Sequence, residues 1–486
     1  MILKSKALAL TVLTVLSAVL MVLPHAHATL YISWNLNTTT KGEFITAYAH
    51  LYGVPQIEKN YNIYFAVVTI DARYDDRKRS GVIEVSIGDY AQPAKVVYDI
   101  TQYKVYTYGL NPTFNDKVGQ ISSPKPVTVD LKVTDNSGNQ IYADSKNIQM
   151  LPVNYYVWSL SKSFDMIALS PVLATPHADP VQKVISAAAK ATPWNGIVGY
   201  QETRGYNHSE VVEWQMRAVY NVVRNLGILY VDTSPTFTSS YSQRIKVPVQ
   251  TLSDASGNCI ETTLLFDSIF EAVGFDTYLI FITGHVFVGV GSWLDSDTFF
   301  PLETTMVGTA TYDEARTKAH QEYSVAKSDP GYYWLDVKKM RTGGVQPTPY
   351  MDSMSDASRF NQKVDELSAK TVSAKTMIGK VEDAMKGKSS IPSKAQDLYH
   401  DAQRLFKNGD YPAAEKDASD ALNIMNQPSG LLPNWSFPNL PFPTGMIPQW
   451  PGTQGLFGLS QQNIFLIGII SVIVILAAVV LATRRR

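Results

Sequence analysis

The only cysteine of the 486-residue chain lies where a thiol could act as a nucleophile. Cys259 stands in the stretch SGNCIETTLLFDSIFEAVGF, where Asn258 is a suitable N-cap and Glu261 follows three residues later, as in a capping box. Gly274 supplies the usual left-handed helix end. The pattern predicts a helix that begins at Cys259, where unpaired amides and the helix dipole favour a thiolate. The alternative for a free cysteine is a small buried apolar residue.

An imidazole and a carboxylate complete a nucleophile, base and orienting set. The segments DTYLIFITG, HVFVGVG and TFFPLETT predict three consecutive strands, of which the second opens at His285. We expect Gly291 to pair with Asp297 across the second hairpin. In that register His285 faces Glu303, and both side chains project from one face of the sheet. The predicted catalytic residues are therefore Cys259 as nucleophile, His285 as proton carrier and Glu303 as the group that orients the imidazole.

The order of these residues resembles the transglutaminase-like superfamily, a branch of the papain-like cysteine fold. Its members carry Gly-x-Cys at a helix start, a long helix ending in Gly, a strand, a His at the head of the next strand and an acidic residue on the third. In this chain the matching residues are Gly257, Cys259, Gly274, His285 and Glu303.

The resemblance covers roughly residues 158–307, which is under a third of the chain. Three positions depart from the family pattern. Asn258 stands where many members have an acidic residue, Phe287 stands where Trp is more usual, and Glu303 stands where Asp is common. Capping explains why Asn serves before the thiol.

The resemblance implies thiol-dependent acyl chemistry. We expect a cysteine peptidase or amidase that hydrolyses peptide or protein amides, and the predicted partner is a peptide, protein or cell-envelope substrate. The alternatives are an amine-transferring transglutaminase and a catalytically silent surface binding or scaffold protein. The net charge of −1 does not indicate a nucleic-acid partner. The chain has no His-Glu-x-x-His motif, clustered Cys and His or Gly-rich phosphate loop, so we expect no metal or other cofactor.

Both ends of the chain are typical of targeting segments. Residues 1–28 have the basic start, apolar run and Ala-x-Ala site of a secretory signal peptide. Residues 463–483 are uncharged and long enough to span a bilayer, and the basic tail 484–486 follows them. Residues 427–462 predict a Pro-rich linker. The predicted localisation is the cell membrane, single-pass, with an extracellular N-terminal bulk and a short cytoplasmic C-terminus.

Three domains are expected between these ends. Residues 29–156 show short alternating Val, Ile and Thr segments, which predict an all-β immunoglobulin-like sandwich. Residues 157–346 mix helical and strand patterns, as expected of an α+β transglutaminase-like (papain-like) core. Residues 352–426 predict an α-helical bundle or stalk from apolar residues at a spacing near 3.5. The predicted fold class is thus multidomain with a single transmembrane helix, as in a membrane-anchored prokaryotic surface member of the superfamily.

Overall fold

The computed structural model describes residues 30–427, apart from 39–41, 102, 158–165, 232–241, 352–353 and 355. The segments predicted as the signal peptide, the transmembrane helix and the basic tail lie outside the described residues, as does nearly all of the predicted linker.

Alternating apolar and polar residues form two packed sheets in the N-terminal part. In β3, for example, Ala66, Val68 and Ile70 are buried, and the residues between them are partly exposed. The strands are β1 (Tyr31–Leu36), β2 (Glu43–Ile45), β3 (Ala66–Asp71), β4 (Arg79–Ser86), β5 (Ala91–Gln92), β6 (Ala94–Ile100), β7 (Val105–Leu110), β8 (Thr113–Phe114), β9 (Lys125–Asp135) and β10 (Gln140–Leu151). One sheet has the order β1-β3-β7 and the other the order β2-β10-β9-β4-β6, while β5 pairs with β8.

This part is not all-β, so the predicted all-β immunoglobulin-like sandwich is wrong. The 3₁₀ helices Thr46–Leu51 and Asp116–Gln120 and the α-helix α1 (Pro55–Tyr61) lie between its strands. Pro55 suits the first turn of α1, where its missing N–H costs no helical hydrogen bond. The run Thr46–Leu51 is almost entirely buried, so the sequence shows no alternation there from which a helix and a strand could be told apart.

The central part mixes helices with short strands. Its elements are β11 (Tyr155–Val157), a 3₁₀ helix (Met166–Leu173), α2 (Asp179–Ala191), α3 (His208–Asn225), β12 (Leu229–Tyr230), β13 (Ser242–Arg244), α4 (Pro248–Asp254), β14 (Ser256–Gly257), α5 (Cys259–Val273), β15 (Thr277–Ile282), β16 (His285–Gly291), β17 (Phe299–Leu302), α6 (Tyr312–Ala326), β18 (Tyr333–Asp336) and α7 (Val337–Thr342). Its largest sheet has the order β17-β16-β15-β18, and α5 packs against β15 and β16.

Three helices complete the described chain, and they dock along the central part. They are α8 (Ser358–Met385), α9 (Ser393–Lys407) and α10 (Tyr411–Asn426). Phe360 and Leu367 of α8 belong to the same buried apolar cluster as the central helices. Asn221 and Asn225 of α3 donate hydrogen bonds to the carbonyls of Lys407 and Gly409. These bonds satisfy carbonyls at the end of α9 and hold that end against the central part.

The described structure is a mixed α/β protein with several sheets. Among its helices none is both long and apolar enough to cross a membrane. This finding contradicts the predicted fold class and the predicted single-pass membrane localisation, because both require a transmembrane helix that the described part of the chain does not contain. The stretch predicted to form that helix, 463–483, lies outside the described residues.

A buried carboxyl group lies in the middle of α5. Asp267 is fully buried, and neither of its carboxyl oxygens has a hydrogen-bond donor among the described residues. Burial, followed by the nearby charge of Glu271, raises the pKa of Asp267 to about 7. The folded protein therefore holds a proton between about pH 4 and pH 7 that the unfolded chain releases.

We predict that Asp267→Asn stabilises the fold at pH 8 by a few kcal/mol, because it removes a buried charge. The gain should shrink as the pH falls below 7 and vanish near pH 4, where both forms are neutral. Urea unfolding at several pH values measures this. Asp365→Asn, at an exposed position on α8, is the control. A gain for Asp267→Asn that does not change with pH would contradict the assignment.

Candidate functional site

The start of α5 has the predicted cap. The Asn258 side chain accepts a hydrogen bond from the Glu261 amide at 3.1 Å, and Glu261 Oε2 accepts one from the Asn258 amide at 3.0 Å. Both halves of the predicted capping box are therefore confirmed, and so is the left-handed end at Gly274, with φ 91°. A Cβ on Gly257 would lie 3.1 Å from side-chain carbons of two neighbours, so the approach to the helix start favours glycine. Cys259 is the first helical residue and is only partly buried.

A tight turn places the imidazole at the head of the next strand. β15 and β16 are joined by Thr283 and Gly284, and Gly284 adopts φ 73°, a left-handed conformation that glycine adopts without steric cost. His285 pairs with Ile282 and opens β16. The rest of that strand is buried, whereas the His285 side chain keeps 22% of its surface exposed. The imidazole therefore sits at the rim of the core.

The register of the following hairpin differs from the prediction by two residues. Gly291 pairs with Phe299 rather than with Asp297. A shift of two residues leaves every side chain on its predicted face of the sheet. Continued one pair beyond β17, this register sets Glu303 opposite Phe287 and diagonal to His285. Diagonal neighbours are about 7–8 Å apart, which suits a long side chain.

The imidazole and the carboxylate are joined directly. His285 Nε2 lies 2.7 Å from Glu303 Oε2, and the Glu303 residue is only 1% exposed. The other Glu303 oxygen accepts hydrogen bonds from the backbone amide and the hydroxyl of Thr305, at 2.8 and 2.5 Å. Since Glu303 occupies Nε2, Nδ1 is the imidazole nitrogen left for the thiol. The Cys259 side chain lies close enough to the ring to raise the pKa of His285.

These contacts set the charge of the imidazole. Burial alone would lower the pKa of His285, but the hydrogen bonds with Cys259 and Glu303, together with their charges, raise this pKa to about 10. Burial acts on Glu303 in the opposite sense, since it would raise the pKa of that carboxyl. The hydrogen bond and charge of His285 outweigh burial and hold the pKa of Glu303 well below its usual range. The pair is therefore an imidazolium and a carboxylate at neutral pH.

Three threonine hydroxyls fix the helix that carries the thiol against the strands that carry its partners. Thr304 Oγ1 lies 2.9 Å from Thr262 Oγ1 and 3.0 Å from Thr263 Oγ1, and all three side chains are fully buried. Thr263 also donates to the carbonyl of Val286, next to the imidazole residue. This hydroxyl cluster links the helix that begins at the thiol, one turn after Cys259, to the residues next to the imidazole and the carboxylate.

Sequence reasoning missed several of these positioning residues. No positioning role was predicted for Thr262, Thr304 or Thr305. The one available signal is the tripeptide Glu-Thr-Thr, which occurs both after the cysteine and at the third strand. Gln250, which lies upstream of the thiol, accepts a hydrogen bond from the Val247 amide at the start of α4.

A fourth group stands beside the three predicted ones. Glu322 of α6 places Oε2 3.7 Å from His285 Nε2. One ligand atom each of His285, Glu303 and Glu322 lie within 4.8 Å of one another, so a divalent cation could be held there. An imidazole binds a metal ion only in its neutral form, however, and the raised pKa of His285 opposes that form.

Comparison of the chain with protein-family models, with curated proteins and with solved structures gave no match. What the site does is therefore argued from its own geometry.

We predict that Glu303→Gln lowers the pKa of His285 from about 10 toward the 6.5 of a free imidazole, because it removes the carboxylate charge. Titration of the imidazole by NMR measures this. A raised His pKa stabilises the fold fully below about pH 6.5, and this stability is lost as the pH rises through about 10. In Glu303→Gln the free energy of unfolding should therefore decrease less between about pH 6.5 and pH 10 than in the wild type.

Glu202→Gln is the matched control, since its carboxylate contacts His208 at the exposed surface. It should leave the titration of His285 unchanged. An unaltered His285 titration in Glu303→Gln would contradict the role assigned to the carboxylate.

Proposed function

We propose that the chain performs thiol-dependent acyl chemistry, namely hydrolysis of a peptide or protein amide. The observation that supports the proposal is the shared imidazole. His285 bonds through Nε2 to a buried carboxylate, and it lies close enough to the only thiol of the chain for that thiol to raise the pKa of the ring. A cysteine that serves only to fill the core needs neither group, whereas an adjacent base oriented by a third group activates a nucleophile. The order of the residues, which resembles the transglutaminase-like superfamily, supports the same chemistry.

The first half of the reaction uses the imidazolium as an acid. The Cys259 thiolate attacks the amide carbonyl carbon, and a carbon–sulfur bond forms. His285 gives its Nδ1 proton to the amide nitrogen as the carbon–nitrogen bond breaks, so the amine leaves neutral. The backbone N–H of Cys259 has no partner within the helix, because it belongs to the first turn, and is the candidate donor to the oxyanion.

The second half returns the site to its starting state. Neutral His285 takes a proton from water, whose oxygen attacks the thioester carbonyl. The carbon–sulfur bond breaks, the acid leaves, and the thiolate and imidazolium are restored. Glu303 stays ionised and holds the ring throughout. We favour hydrolysis over transfer to an amine, because water as the acceptor needs no second binding site.

We predict that the protein cleaves peptides in a mixed library. Cys259→Ala should lower the cleavage rate at least about a thousandfold, as loss of a nucleophile does. Glu303→Ala should lower the rate too, since the ring loses its support. New peptide N-termini, counted by mass spectrometry, are the measurement. Ser253→Ala, at an exposed position on α4, should retain the wild-type rate.

Two outcomes would contradict hydrolysis. Incorporation of an added primary amine without cleavage would identify a transferase. Absence of any product, together with a partner bound equally by wild type and Cys259→Ala, would identify a binding protein.

A further inference from the structure

Glu322 is a partly buried acid that the proposed reaction does not use. It lies on α6, and its side chain is 18% exposed. One carboxyl oxygen, Oε1, lies 3.1 Å from Lys318 Nζ. The other, Oε2, is shielded from solvent, and no donor group of the described residues bonds to it. A buried acceptor without a donor is costly, so its surroundings need to be accounted for.

The group that Glu322 meets is another acid. A carboxyl oxygen of Glu322 and one of Glu303 lie within 4.8 Å of each other, and two carboxylates offer only acceptors. The contact is satisfied if one carboxyl carries a proton and donates it. Glu303 is held ionised by His285, so the proton belongs to Glu322. In agreement, burial and then the contact with Glu303 raise the pKa of Glu322, while Lys318 and His285 oppose this.

We propose that Glu322 is a positioning residue for the site: its protonated carboxyl donates a hydrogen bond to the Glu303 carboxylate and so holds Glu303 against His285. Thr305 binds the other oxygen of Glu303, so the carboxylate is fixed at both ends. The orienting group is then a pair of acids that share one proton. This inference rests on the proposed function in that it assigns a role at the same site.

Substitutions that keep or remove the donor test this role. Glu322→Gln keeps a neutral donor of the same size, and Glu322→Leu removes it. We expect iodoacetamide to label Cys259 at pH 6 at nearly the wild-type rate in Glu322→Gln. In Glu322→Leu we expect labelling to be roughly tenfold slower, as for loss of a hydrogen bond to a charged group. Gln321→Leu, one residue away at an exposed position, is the matched control.

The pH profile separates positioning from packing. The charged groups that act on Glu322 are Glu303, Lys318 and His285. As the pH rises, wild-type Glu322 loses its proton and repels Glu303, whereas Gln does not. The ratio of the wild-type to the Glu322→Gln labelling rate should therefore fall below its value at pH 6.

Three results would overturn the inference. They are equal labelling of wild type and Glu322→Leu, equal slowing in Glu322→Gln and Glu322→Leu, and a rate ratio that is constant with pH. Labelling needs no substrate, so a wild-type protein that labels as expected but cleaves no peptide would refute the proposed hydrolysis and leave the role of Glu322 standing.

Discussion

A negative charge buried at the edge of the central sheet organises the site. Glu303 is 1% exposed, and an isolated carboxylate there would be strongly disfavoured. Its charge is offset by the imidazolium at 2.7 Å and by two donors from Thr305. Each group that stabilises this charge is thereby also fixed in place. The imidazole is charged because the carboxylate lies against it, and the thiol gains a cationic neighbour as a result.

The helix and the strands that bring these groups together leave little freedom. α5 is buried along nearly its whole length against β15 and β16, so the position of its first residue follows from the packing of the rest. The hydroxyl contacts of Thr262, Thr263 and Thr304 add direction to this packing, because hydrogen bonds have preferred geometry and apolar contacts do not. Of the three candidate catalytic residues, only Cys259 and His285 have appreciable exposed surface, which a pair that meets a substrate needs.

Local patterns in the sequence predicted what is decided locally. The cap at Asn258, the helix end at Gly274 and the strand that opens at His285 each depend on a few neighbouring residues, and the structure has all three. The register of β16 with β17 depends on the path of a loop, and the prediction was two residues short. Contacts made across the fold, such as those of Glu322, leave no periodic signal. The helices among the N-terminal strands were missed because a fully buried run shows no alternation.

Because the end of α9 is bonded to α3, the fold is complete only after the C-terminal helices have been synthesised. The central part, with the thiol and its partners, leaves the ribosome before α8, α9 and α10 exist. Until they follow, Asn221 and Asn225 lack their bonds to the carbonyls of Lys407 and Gly409, and the core lacks Phe360 and Leu367. A nascent chain halted before α8 would hold every residue of the site on an unfinished core, and so would the product of an early stop codon.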